Sequence, residues 1–399
     1  MTHPHTHRTA VFRTYACLLL LTACSYALMY GPQPMFNIIC RDLAVDRAHI
    51  GLLVSVFMLS LSISPLCVGL LLGRLGVRRA VYLSSGLLTL SGGLIYACTS
   101  FPQLLSVRIV QGILMPILLT SAMAGIAQLF RHLDMNRALA GFVTCSLLGS
   151  LAGRLLGGYA AEIFGWRYTL TGICFFFFLC LFLARGIPQN IGESATVHHL
   201  RDYMLVLRQK GVAMLLFVEA CGIFTFAAIG NLIPLRMEEL GQGHSEGLIG
   251  FMYLGYSIGL VASLAINPLK KLFHTRGRLI IAGALLYALS LTTLFPNSIW
   301  FVFVGIWIIA LGEFVVHSIA PGLINELATT SKQCDRGMVN GLFLSCYYMG
   351  GVLGSWLPGV LYARLGWLYC LSCMLCVQII SLICVLTFVN KVFTPQNMR

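Results

Sequence analysis

The sequence predicts an all-α membrane protein of twelve transmembrane helices, arranged as two pseudo-symmetric six-helix halves. Three observations carry that expectation. Of 399 residues, 58% are hydrophobic and only 10% charged, with a mean hydropathy of +0.87. The apolar residues come in blocks, and a helix crossing a bilayer needs about 20 of them in a row. Lys and Arg fall on alternate sides of those blocks, as the positive-inside bias requires. A water-soluble chain of this size carries roughly a quarter charged residues. A soluble enzyme, a nucleic-acid-binding domain and a disordered protein are therefore excluded.

The blocks place spans at 14–39, 50–72, 80–99, 103–130, 138–161, 166–185, 212–235, 247–268, 278–296, 299–324, 338–361 and 366–390. Strands of a membrane barrel would alternate over about ten residues, and these blocks do not. With the N-terminus inside, nineteen of the 26 Lys and Arg residues, from Arg8 and Arg13 to Lys391 and Arg399, lie in inside segments. Arg41, Arg47, Arg167, Arg236 and Arg364 lie outside, and Arg108 and Arg154 fall within spans. A missed helix would scramble this asymmetry. Both termini are thus expected in the cytoplasm, with the chain threaded through a plasma membrane, the bacterial inner membrane. The net charge of +13 is assigned to the inside loops rather than to a nucleic-acid partner. No cleavable signal peptide is expected, because the segment up to Arg13 is polar and the first span exceeds an h-region.

The first span carries YGPQPMFN (Tyr30–Asn37). Gly31, Pro32 and Pro34 should break or kink the helix there. Tyr26, Tyr30 and Gln33 become candidate substrate contacts. Gln33 and Asn37 can equally stand at the outer membrane surface. The longest loop, 186–211, is polar and inside, and divides a first half, 1–185, from a second, 212–399. Within it HHLRDYMLVLRQKG (His198–Gly211) sets Leu200, Met204 and Leu207 on one face with Arg201 and Arg208 away from it. That is the pattern of an amphipathic helix on a membrane surface. An internal repeat supports the division. GGYAAEIFGWRYTL (Gly157–Leu170) matches PGVLYARLGWLYCL (Pro358–Leu371), with Gly165-Trp166 and Gly366-Trp367 201 positions apart. Related six-helix halves are the build of secondary transporters, whose substrate sites lie between the halves.

The loop after the second span, GLLLGRLGVRR (Gly69–Arg79), resembles the cytoplasmic signature of the major facilitator superfamily, G-x-x-x-D-R-x-G-R-R. Gly69, Arg74, Gly76, Arg78 and Arg79 fit it. Gly73 stands where the family usually has Asp, and Val77 at a usual basic position. The resemblance implies a cytoplasmic gate, with any charge relay around that Asp weakened or replaced. RIVQG (Arg108–Gly112) in the fourth span resembles the R-x-x-Q-G signature of the efflux branch, where the Arg is linked to proton coupling. GSLAGRLLGG (Gly149–Gly158) in the fifth resembles G-x-x-x-G-P-x-x-G-G of proton-driven drug antiporters. Gly149, Gly153, Gly157 and Gly158 fit and allow close helix packing, while Arg154 replaces the Pro. The resemblance is closest to multidrug and sugar-efflux permeases and implies the major facilitator fold.

Ionisable residues inside a membrane are functional candidates by default, since each costs about 3 kcal/mol on the gentlest scale. Arg108, Arg154, Glu219 and Glu313 are the four, and their charges sum to zero, which suggests partners facing one cavity. His317 follows Glu313 by one turn, and Gln111 lies one turn after Arg108. The resembled family lines its cavity with the first, fourth, seventh and tenth spans, which carry all of these except Arg154. Other readings stay open: Arg108 reaching outward to headgroups, Arg154 in a structural salt bridge, His317 bonded to a neighbour. Glu313 and Glu219 are the candidate proton carriers, because a buried carboxyl group can take up and release a proton in the working pH range.

His3, His5 and His7 read as a solvated tail, and Cys370, Cys373 and Cys376 as packed or lipid-facing thiols. No metal site is expected. Most of the fifteen cysteines, Cys17, Cys24, Cys67 and Cys145 among them, lie in apolar blocks, so disulfides are not expected either. No phosphate loop or nucleophile motif is present, so neither a cofactor nor direct ATP use is implied. The sequence reads as a monomeric secondary transporter that moves a small organic molecule by alternating access, with protons as coupling partner and the bilayer as solvent. Proton-coupled efflux is the first reading. Proton-coupled uptake of an organic anion is the alternative, and a lipid-modifying intramembrane enzyme is a remote one lacking a catalytic set.

Overall fold

The computed structural model describes residues 4–130, 135–182, 187, 200–241, 245–328 and 336–392, and within them every regular element is a helix. Each of the twelve expected spans has its counterpart. The first is α1 (Pro4–Tyr30), a 3₁₀ turn (Gln33–Met35) and α2 (Phe36–Asp42). The second to sixth are α3 (Leu52–Leu75), α4 (Val77–Ala97), α5 (Phe101–Leu129), α6 (Met135–Phe164) and α7 (Trp166–Leu181). After the linker helix α8 (Leu200–Leu207), the seventh is α9 (Lys210–Glu239). The eighth is broken into α10 (Glu246–Met252), a 3₁₀ segment (Tyr253–Ser257), α11 (Ile258–Leu264) and α12 (Ile266–Phe273). The ninth is α13 (Arg276–Thr292), and the tenth is α14 (Ile299–His317) with α15 (Ala320–Ala328). The last two are α16 (Arg336–Leu365) and α17 (Trp367–Val392). Eight of these are long and apolar enough by themselves to cross a membrane among the described residues.

The surface of the helices is as apolar as a bilayer demands. Leu90, Leu94, Tyr159, Phe164, Trp300 and Leu368 are all more than half exposed. Backbone hydrogen bonds are kept inside each helix, the only open arrangement stable in hydrocarbon. Tight turns join neighbouring spans at Gly165 (φ +81) and Gly366 (φ +87), the two glycines of the sequence repeat, in a region L side chains rarely enter.

The chain forms two compact units. One contains Met1–Val45, Ile63–Val197 and Ser245–Phe251, and the other Asp46–Ser62, His198–His244 and Met252–Arg399. These differ from the division at 186–211 read from the sequence, because two short segments belong with the other half of the chain. In the first unit Glu162 accepts from the Ser245 hydroxyl at 3.0 Å and the Gly247 amide at 2.8 Å, and Arg41 pairs with Glu246 at 3.2 Å. In the second, the Ser55 and Ser62 hydroxyls donate to the Val352 and Ser345 carbonyls at 2.9 and 2.8 Å.

Each unit repeats one packing device. A Cβ added at Gly149 would stand 2.5 Å from Ala23 Cα, and one at Gly153 2.6 Å from Ala27 Cα, so α6 lies directly on α1. Gly350 and Gly354, each 201 positions later, meet Ala220 and Phe224 of α9 in the same way. Gly157 faces Met35 and Gly31, and Gly158 faces Gly250.

The linker differs in detail from the expected surface helix. Val206 is fully buried in the core of the second unit, with Tyr203 and Leu207 packed beside it, whereas Met204 is 49% exposed. The helix docks through its 203/206/207 face. The side chain of Leu200 lies outside the described residues.

Candidate functional site

The first unit holds both intramembrane arginines. Arg108 of α5 is fully buried, which sets aside the headgroup-facing reading. Its Nη1 donates to the Leu28 carbonyl at 3.0 Å and to Gln111 Oε1 at 3.1 Å, and its Nη2 to the Met29 carbonyl at 3.0 Å. Gln111 Nε2 donates onward to Ser91 Oγ at 2.8 Å and to Cys174 Sγ at 3.5 Å. The R-x-x-Q spacing therefore places the amide one turn on, where it receives the guanidinium.

Arg154 of α6 is 2% exposed and bridges the break in the first span. Its Nε donates to Gln33 Oε1 at 2.6 Å, and its guanidinium carbon stands 3.9 Å from the centroid of the Tyr30 ring, a cation–π contact. Its Nη1 donates to the Ser150 hydroxyl and, at 3.3 Å, to the Ser150 carbonyl. Gln33 and Asn37 are both buried.

The second unit holds the acids. Glu219 of α9 is 2% exposed, and its Oε2 lies 2.7 Å from His317 Nδ1 of α14. The imidazole rests 4.8 Å from the Tyr347 ring and 6.0 Å from Phe343. One turn earlier on α14, Glu313 is buried, and its Oε1 has no hydrogen-bond partner among the described residues. Its carboxyl group lies against Gly222, one turn after Glu219, with Cδ 3.0 Å from where a Cβ would be. Two antiparallel helices thus set Glu219 opposite His317, and Gly222 opposite Glu313. Phe226, Tyr256 and Phe314 stack around this place, with ring centroids 4.4 and 6.0 Å from that of Phe226.

Several contributors were not singled out in the sequence. Tyr287 donates to the Gly222 carbonyl at 2.9 Å, and Gln378 donates to the Cys221 carbonyl at 2.7 Å and to Thr225 at 2.9 Å. A lone amide in the middle of the last apolar block was the available signal for Gln378. Nothing in the sequence marks Gly222, whose role is only to leave room.

In the gate motif, Gly69 and Arg74 lie in α3, with the Arg74 side chain outside the described residues. Gly76 (φ +75) opens α4. Arg78 stands 5.9 Å from the Tyr82 ring centroid, Arg79 is exposed and Val77 is buried. Among the described residues no group of three His, Cys, Asp or Glu side chains could hold a metal ion.

Comparison with known proteins bears on the family and the fold. The family model described as Major Facilitator Superfamily matches residues 18–271 and 215–397. The inner membrane transport protein YnfM of Escherichia coli is 25% identical over 357 residues, covering 86% of this chain and 82% of that protein. The multidrug efflux protein YfmO of Bacillus subtilis is 23% identical over 341 residues, covering 82% and 81%. A solved bacterial homologue of the human lysosomal transporter Spinster superposes with a TM-score of 0.75 at 15% identity, over 99% of this chain and all of that one.

Proposed function

The chain belongs to the Major Facilitator Superfamily, a family of transporters, and from that premise we propose that it is a proton-coupled exporter of a small organic molecule. It works in the bacterial inner membrane as a monomer, with both termini in the cytoplasm. The observation that carries the coupling is the Glu219–His317–Glu313 cluster. A carboxylate cannot sit uncompensated in an apolar interior. Glu219 has an imidazole to share a proton with, and Glu313 lies against Gly222 with one carboxyl oxygen that has no hydrogen-bond partner among the described residues. Each needs a proton or a cationic group, so the release of one and the binding of the other are linked. Alternating access would offer that linkage to the two sides of the membrane in turn. Export of an organic molecule is supported by the aromatic lining and by similarity to a multidrug efflux protein. Arg154, Tyr30 and Gln33 are the proposed substrate contacts of the first unit. The Gly69–Arg79 loop is the proposed gate.

The test is proton-driven accumulation of a lipophilic dye, ethidium, in inverted vesicles. Glu313→Gln and Glu219→Gln should insert normally and abolish accumulation. Unchanged accumulation and pH dependence in both would remove them from the mechanism. One observation favours a second reading, uptake of an organic anion: Arg154 is a buried cation where the family's signature has Pro. Proton-driven uptake of benzoate in right-side-out vesicles, lost in Arg154→Gln, would establish that reading.

A further inference from the structure

Proline breaks in a membrane helix leave carbonyls to be satisfied, and at two of them here the donors can be named. Pro32 has no N–H to give, so the Leu28 carbonyl, four residues back, loses its helical donor. Helix α1 closes with the Gly31 amide on the Ala27 carbonyl at 2.7 Å and then gives way to the 3₁₀ turn. The Leu28 carbonyl and its neighbour Met29 both accept from Arg108, each at 3.0 Å. In the second unit Pro234 lies inside α9, and the carbonyl it frees is that of Gly230. That carbonyl accepts the Tyr253 hydroxyl at 2.6 Å, from a fully buried ring on the 3₁₀ segment of the eighth span. Tyr256 reaches the Phe226 carbonyl, one turn earlier, at 3.4 Å.

We propose that Arg108 is a positioning residue that caps the proline-freed carbonyl of the first span and thereby sets the shape of its break, and that Tyr253 serves the seventh span in the same way. The consequence for the site is specific. Tyr30 is the last residue of α1 and Gln33 the first of the 3₁₀ turn, so they stand on either side of the break. Arg154 engages both, its guanidinium over one ring and its Nε on the other's amide oxygen. If the break closed into regular helix, the two side chains would no longer face Arg154 together. Arg108 thus acts on the Arg154 cluster through the backbone, although the superfamily resemblance links it to the proton.

The test restores the missing donor. Pro32→Ala returns an N–H to the Leu28 carbonyl, so it should relieve the loss of Arg108. Four purified proteins are compared by thermal unfolding in detergent: the natural protein, Arg108→Met, Pro32→Ala and the double variant. The expected result is a lowered midpoint in Arg108→Met, at least half recovered in the double variant. Ethidium accumulation should fall at least tenfold in Arg108→Met and stay low in the double variant, because the regained helical bond closes the break that Arg154 spans, and the residual rate should keep the pH profile of the natural protein. Additive midpoints would overturn the capping role, and a shifted pH profile in the double variant would assign Arg108 to the proton instead. The set Tyr253→Phe, Pro234→Ala and their double variant is read in the same way, so it decides the matter if an Arg108 variant does not fold. The thermal measurements need no substrate, so their failure is separate from failure of the exporter reading.

Discussion

Gly222→Ala tests whether Glu313 needs the hollow it occupies. The added methyl group would stand 3.0 Å from the carboxyl carbon and closer still to Oε2, where ordinary contacts begin near 3.4 Å. The carboxyl group must therefore leave its place, or α9 and α14 must part. Overpacking of this kind costs about 1–3 kcal/mol, which corresponds to a fall of about 5- to 150-fold in a rate that depends on this geometry. Alanine is also the better helix former, by about 1 kcal/mol, so a loss cannot be ascribed to the helix itself. The assay is the initial rate of ethidium accumulation in inverted vesicles across pH, with the thermal midpoint measured alongside. Glu313→Asp shortens the side chain by one carbon–carbon bond, about 1.5 Å, and should restore part of the rate when combined with Gly222→Ala. A single Gly222→Ala variant with unchanged rate and pH profile would refute the idea that Glu313 works from this position.

Four further outcomes are expected. Gly153→Ala and Gly354→Ala should each lower the yield of monodisperse protein on size-exclusion chromatography, because the added carbon meets backbone of the facing helix. Gly93→Ala, where a Cβ meets open space, should be neutral or stabilising by about 0.5–1 kcal/mol. Val206→Ala should destabilise the second unit by about 1.5 kcal/mol for two lost buried carbons, while Met204→Ala stays within about 0.5 kcal/mol, both read by thermal unfolding. His317→Gln can still hydrogen-bond Glu219 but removes the imidazole, and should slow ethidium accumulation in inverted vesicles while leaving protein yield unchanged.

The spans were legible because a bilayer imposes a length on them, and the break in the first was legible from Gly31, Pro32 and Pro34 together. The glycine row of the fifth span could be read from its motif, and its counterpart at Gly350 and Gly354 is visible once the 201-residue offset is applied. The partners of Arg108 were not legible. A backbone carbonyl is the same at every position, so no residue type announces that Leu28 and Met29 will be the acceptors. The linker helix misled for a related reason. Its eight residues offer two apolar faces, Leu200/Met204/Leu207 and Tyr203/Val206/Leu207, and only the docking surface chooses between them. The segments 46–62 and 245–251 meet their units through contacts across long sequence separations, which periodicity does not encode.

The borrowed caps bear on how the chain can be made. Arg108 follows Leu28 by 80 residues, while Tyr253 follows Gly230 by only 23. At about 5–20 residues per second, the ribosome delivers Tyr253 within about 1–5 s of Gly230, but Arg108 only about 4–16 s after Leu28. Through that interval the break in the first span has a carbonyl without its cap, which water or the insertion machinery must satisfy. On the capping proposal, the first helix to be synthesised is finished only once the fourth has been made.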